Sequence, residues 1–93
     1  MMSQSTLTEL RQQLEAIDAE CVTLLGRRLE IARRVGAHKR AQGLAPLDPK
    51  REAHVVNAAA QLARRTGLPE EAVRGIFWQV VAMSRSVQQG GTP

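Results

Sequence analysis

The chain has 93 residues, 43% of them apolar, a formal net charge of +4, one cysteine (Cys21) and two aromatic side chains, Phe77 and Trp78. This composition excludes an intrachain disulfide and a thiolate metal centre. No apolar run approaches the ~20 residues of a bilayer span, which excludes a transmembrane helix. With so little aromatic surface, the core must come from Leu, Ile, Val and Ala, which suits a single helical domain over residues 1–93. A chain this short buries little surface alone, so oligomerisation is expected. The opening MMSQSTLTEL lacks the basic start and apolar run of a signal peptide, and one lone cysteine fits a reducing cytoplasm.

The first predicted element is one long helix over residues 6–42, with Thr6 and Glu9 spaced as a capping box. Positions 7, 10, 14, 17, 21, 24, 28, 31 and 35 carry Leu, Leu, Leu, Ile, Cys, Leu, Arg, Ile and Val. That three-and-four alternation is the seam of a helix packed along another helix. The element would be roughly 54 Å long, which overshoots one small domain and asks for a second chain at its far end. The second helix is predicted from Asp48-Pro49, a side-chain cap followed by a residue suited to the first helical position. Its apolar face is expected at Val55, Ala58 and Leu62, and its stop at Gly67. The third starts near Pro69, with Glu70 and Glu71 set favourably against the helix dipole. Val73, Ile76, Phe77, Val80 and Val81 form its expected inward face, with Trp78 packing beside it, and Gly90 to Pro93 reads as a frayed end. No segment reads as a strand.

Several polar residues stand out against this frame. Residues 27–40 hold Arg27, Arg28, Arg33, Arg34, Lys39 and Arg40 against one acid, Glu30. Such a local field attracts nucleic acid, an acidic surface or a small anion. Arg27 and Arg34 flank Glu30 as an ordinary solvated ladder. Arg28 sits in the seam with no acid at 24, 25, 31 or 32, so its partner is either a carboxylate from elsewhere in the fold or an anionic ligand. Lys39, eleven residues on, returns to the same face roughly 16 Å further along. Arg11 lies roughly 42 Å from Lys39 on the same helix and cannot reach it within one chain. In an antiparallel pair with its twofold near residue 21 or 22, the partner's Arg11 falls level with residues 31–33, between Arg28 and Lys39.

On the third helix, Ser84 and Gln88 are spaced four apart and continue the face of Phe77, Val80 and Val81. Spacing alone also fits a helix end that leaves the core. Arg51 and Glu52 follow the Asp48 cap within one turn and, alone, read as an ordinary charged start. Cys21 is expected to be a small buried thiol. His38 and His54 have no acids or thiols at metal-ligand spacing. Gly26 costs the long helix about 1 kcal/mol relative to Ala.

Taken together, LTELRQQLEAID, LLGRRLEIARRVGAHK, LAPLDPKRE and MSRSVQQ resemble the all-helical (AroQ class) chorismate mutases, from about Leu7 to Gln88. The ordered set Arg11, Arg28, Lys39, Asp48, Arg51, Glu52, Ser84 and Gln88 carries the likeness. It implies an all-α fold of one long and two shorter helices per chain, in an intertwined homodimer whose two sites each take an arginine from the partner. It implies a cofactor-free, metal-free [3,3] rearrangement of chorismate to prephenate in aromatic amino acid biosynthesis. By this resemblance Arg28 and the partner's Arg11 bind the substrate carboxylates, with Arg51 assisting. Lys39 and Gln88 face the ether oxygen of the breaking bond. Glu52 binds the ring hydroxyl with help from around Asp48, and Ser84 lines the pocket near a carboxylate.

Within the same fold the rivals are an isochorismate–pyruvate lyase and an aminodeoxychorismate mutase. From another class, the rival is a basic helical dimer that binds nucleic acid through the 27–40 cluster, although the scattered acids break any continuous basic stripe. Some small family members also need a partner enzyme of the shikimate pathway for full rate.

Overall fold

A computed structural model describes residues 4–90. They form three helices: α1 (Gln4–Gln42), α2 (Pro49–Arg65) and α3 (Glu70–Gln88), with no strand among the described residues. The frayed end expected at 90–93 lies outside them except for Gly90. Among the described residues no helix is long and apolar enough to cross a membrane.

Local chemistry accounts for most of the boundaries. Asp48 caps α2 by accepting from the Arg51 backbone N–H at 3.1 Å, and Pro49 follows at the first helical position. α3 begins after Pro69 with Glu70 and Glu71 in its first turn. α1 and α2 end in the same way. Leu44 N–H reaches Lys39 O at 2.9 Å and Leu68 N–H reaches Ala63 O at 2.8 Å, each around a glycine of positive φ, Gly43 at 66° and Gly67 at 77°. Both are Schellman ends, in which only glycine takes the left-handed position without strain. The capping box expected at Thr6 does not form. The helix is already running at Gln4, whose carbonyl accepts from Thr8 Oγ1, so Thr6 has helical backbone and cannot serve as the cap.

α3 packs against both α1 and α2, whereas α1 and α2 do not pack on each other. The buried residues are Leu29, Ala32 and Gly36 on α1, Val56, Ala60 and Ala63 on α2, and Val80, Val81, Ser84 and Val87 on α3. Small side chains at these positions let the helices approach closely. Two expected faces are therefore displaced. On α2 the buried stripe runs 56-60-63; Ala58 and Leu62 are exposed and Val55 is half-buried. On α3 the buried stripe shifts toward the C-terminus, and Ile76 and Trp78 are exposed.

The N-terminal stretch of the α1 seam, residues 10 to 24, is covered by nothing in the described chain. The buried positions of α1 lie about 100° round the helix from the seam, and Leu10, Leu14, Ile17, Leu24, Ile31 and Val35 stay exposed, Leu14 by 60%. Cys21 shares that stripe and is exposed, not buried. The long axis of the molecule is 61 Å and its radius of gyration 17.2 Å, against about 12 Å for a compact chain of this length. The excess is the first half of α1, which projects past the other two helices.

Candidate active site

Because α1 and α2 touch only α3, a gap remains between them, and the last turns of α3 form its floor. This gap is a cavity of about 300 Å³, at the small end of the range for ligand sites. Its polar lining is Arg28 and Lys39 from α1, Asp48, Arg51 and Glu52 from the start of α2, and Ser84 and Gln88 from α3. Ile31, Ala32, Val35, Val55 and Val81 supply the apolar wall.

Most of these polar groups are held by a neighbour. Arg28 Nη1 donates to Ser84 Oγ, and Ser84 Oγ donates back to Val80 O at 3.0 Å. Ser84 is buried, so the end of α3 stays in the core instead of becoming wet. Lys39 Nζ donates to Gln88 Oε1 at 2.9 Å and to Pro46 O at 3.3 Å. With its oxygen engaged, the Gln88 amide keeps two N–H donors for other partners. Asp48 Oδ1 is partly committed to the α2 cap.

Glu52 is gripped by a residue the sequence did not single out. Arg85 Nη2 donates to Glu52 Oε1 at 2.7 Å and Arg85 Nε to Oε2 at 3.0 Å. The hydrogen bond from Arg85 holds the Glu52 carboxyl below its ordinary range, against the opposing effect of burial; Lys39 lowers it further and Asp48 raises it. The same bond raises the Arg85 guanidinium. Nothing local in the sequence marks this pair, which is 33 residues apart on two helices.

Three cations and two carboxylates therefore line the cavity, and one of those carboxylates is already neutralised by Arg85. Among the described residues no carboxylate lies within ion-pair distance of Arg28, Lys39 or Arg51. A pocket so unbalanced favours an anion, and guanidinium forks suit carboxylates in particular. The basic cluster on α1 is divided in function. Arg28 and Lys39 face the cavity, Arg40 Nη1 donates to Gln88 O at 2.6 Å, and Arg33 and Arg34 pair with Glu30 at 3.4 and 3.9 Å. Arg33, not Arg27, thus completes the ladder.

Gly36 positions the third wall. A Cβ there would meet the Gln88 carbonyl oxygen and lie 2.7 Å from Gln88 Cα and 2.9 Å from its carbonyl carbon. Only a bare α-carbon lets the end of α3 rest on α1 at this point. Sequence inspection missed Gly36, since a helical glycine has no local signature of close approach.

Arg11 does not line the cavity. It is exposed on the projecting half of α1. A second groove, about 540 Å³, shares Arg28, Arg51 and Val55 with the cavity and continues past Ala58, Ala59, Leu62, Leu68 and Phe77. The α2 stripe expected to be core thus faces this open groove.

Comparison with known proteins adds three relatives. A T-protein of Enterobacter agglomerans is 32% identical over 78 residues, covering 84% of this chain and 21% of that protein. A T-protein of Haemophilus influenzae is 28% identical over 77 residues, covering 83% and 20%. An isochorismate pyruvate lyase of Pseudomonas aeruginosa is 29% identical over 75 residues, covering 81% and 73%. The chain spans about a fifth of the length of the two T-proteins. Residues 10–89 match the family described as chorismate mutase type II, a stretch that takes in Arg11 and every polar residue of the cavity, and the chain belongs to that family.

Proposed function

We propose that this protein is a chorismate mutase that converts chorismate to prephenate without a cofactor, as a single domain over residues 1–93, in the aromatic amino acid pathway. The observation that carries the reading is the convergence of Arg28, Lys39, Arg51 and Gln88 on one cavity with an excess of positive charge. Chorismate is a flexible dianion, and its rearrangement is unimolecular. The site's work is to hold both carboxylates in the reactive diaxial shape, which removes conformational freedom before the bond breaks. Arg28, steadied by Ser84, takes one carboxylate, and Arg51 assists. As the C–O bond lengthens, charge grows on the ether oxygen. Lys39 and the free N–H groups of Gln88 donate to it in a pocket walled by Ile31, Val35 and Val81, where such donors are worth about 3–4 kcal/mol each. Glu52 accepts from the ring hydroxyl, with Asp48 nearby.

The proposal includes a homodimer in which the partner's Arg11 completes each site. Two features support it: the uncovered N-terminal stretch of the apolar α1 seam and the open apolar groove that runs away from Arg28 and Arg51. An antiparallel α1 pair would cover the first with its own copy and bring the partner's Arg11 level with residues 31–33. A cytoplasmic location accords with the single cysteine. Comparing the rate alone and with a partner enzyme of the shikimate pathway determines whether the activity is autonomous.

Incubating purified protein with chorismate and identifying prephenate tests the reading; chorismate left unchanged refutes it. The second reading, isochorismate–pyruvate lyase, is favoured by the Pseudomonas aeruginosa relative, of which the chain covers 73%. Supplying isochorismate and assaying pyruvate separates the two.

A further inference from the structure

Glu52 lies in the cavity wall, while Arg85, on α3, does not line the cavity and grips the carboxylate from outside it. The two parallel bonds, 2.7 and 3.0 Å, fix the plane of the carboxylate as well as its place. Each carboxylate oxygen keeps a further lone pair for a ligand. The charged groups facing Glu52 come from every neighbouring element: Lys39 on α1, Asp48 before α2 and Arg85 on α3. Arg85 is the only one bonded to it through both oxygens. Its charge also cancels that of Glu52, so that Arg28, Lys39 and Arg51 act on a dianion with only Asp48 opposing them.

We propose that Arg85 is a positioning residue that presents Glu52 to the cavity as a fixed acceptor, and so restricts the ligand group opposite Glu52 to a hydrogen-bond donor. A hydroxyl or amino substituent on the ring is admitted there; a carboxylate or an ether is rejected, because the carboxylate has no proton to offer and cannot turn away. This rests on the mutase reading of the cavity. The competing role is a plain staple between α2 and α3, which would lower the Glu52 carboxyl in the same way but leave the choice of ring substituent and the placing of the substrate untouched.

The test compares wild type, Arg85→Gln and Arg85→Lys in the full chain, with helicity checked by circular dichroism. The first readout is the titration of the Glu52 carboxyl by ¹³C NMR without substrate. It should move to higher pH in Arg85→Gln, with Arg85→Lys in between. The second is kcat/KM for chorismate against pH. The acid limb should move to higher pH in Arg85→Gln, with a loss on the order of tenfold at neutral pH from the loosened carboxylate, partly rescued by Arg85→Lys. A Glu52 titration unchanged by Arg85→Gln overturns the proposal, as does an acid limb that stays in place while only Tm falls. If the wild type leaves chorismate unchanged, the mutase reading fails, and the role of Arg85 is read instead from NMR-detected binding of cyclic dicarboxylates with and without a ring hydroxyl: Arg85→Gln should weaken the preference for the hydroxyl, and a preference unchanged in that variant overturns the proposal.

Discussion

Replacing Gly36 by alanine sets two effects of opposite sign against each other. Alanine favours a helix interior by about 1 kcal/mol over glycine. The added Cβ, however, would stand 2.7 Å from Gln88 Cα, where ordinary contact begins at 3.4 Å. The obstacle is backbone, so no rotamer change relieves it, and the end of α3 must retreat by more than about 0.7 Å, because the Gln88 carbonyl oxygen is closer still. Overpacking of this kind costs about 1–3 kcal/mol. The net change in stability is then a loss of about 0–2 kcal/mol. The larger effect falls on catalysis, because the displaced segment carries Gln88, and a misplacement near 1 Å costs up to about a hundredfold in rate. We expect kcat for chorismate to fall between about tenfold and a hundredfold, with KM changed less. The control is Gly26→Ala. Gly26 has nothing within 4 Å of an added Cβ and lies opposite the seam, so this variant should gain about 1 kcal/mol by helix propensity and keep full activity. Steady-state kinetics and urea denaturation at one fixed protein concentration measure both variants. A Gly36→Ala protein as active as wild type, and stabilised as much as Gly26→Ala, would refute the close-approach reasoning.

Three further outcomes follow from the site. Gln88→Glu should move the activity optimum toward acid pH, since a carboxyl must be protonated before it can donate where the amide donates at any ordinary pH; an unchanged pH–rate profile counts against the assignment. Arg11→Ala and Arg28→Ala proteins, each nearly inactive, should regain activity when mixed, because one of the two hybrid sites then holds both arginines. Subunit exchange without recovery, monitored by mass spectrometry, contradicts the shared site. Asp48→Ala should destabilise the protein by about 1 kcal/mol through loss of the α2 cap, while Asp48→Asn, an equally good cap, should not. Thermal melts of the two variants check this, and equal losses would show that the cap is not the cause.

Much of this arrangement was legible in the sequence because its causes are local. Asp48-Pro49, Pro69-Glu70-Glu71 and Gly67 mark helix ends through their own capping and backbone preferences, and all three stand where expected. Arg28, Lys39, Asp48, Arg51, Glu52, Ser84 and Gln88, all singled out in the sequence, line one cavity, and Arg11 does not. The apolar faces were harder. α2 carries apolar residues at both 55-58-62 and 56-60-63, and periodicity cannot tell a stripe of small residues pressed against α3 from a neighbouring stripe left open. The same ambiguity hid the 29-32-36 face of α1 behind its more regular seam. Arg85 and Gly36 were invisible for another reason: what defines each is a contact dozens of residues away, and neither contact leaves a mark on the local pattern.

The overhang of α1 has a consequence for how order spreads through the molecule. Isolated helices owe most of their persistence in proteins to packing rather than propensity, and residues 8–24 have only exposed side chains along their own chain. Amides in that stretch have little to slow hydrogen–deuterium exchange in a lone chain, whereas those near Val80 and Val81 are shielded by the three-helix body. If two overhangs clasp, protection should extend toward the N-terminus as protein concentration rises, and the exchange rate at Leu14 or Ile17 would then report directly on how firmly the molecules hold each other.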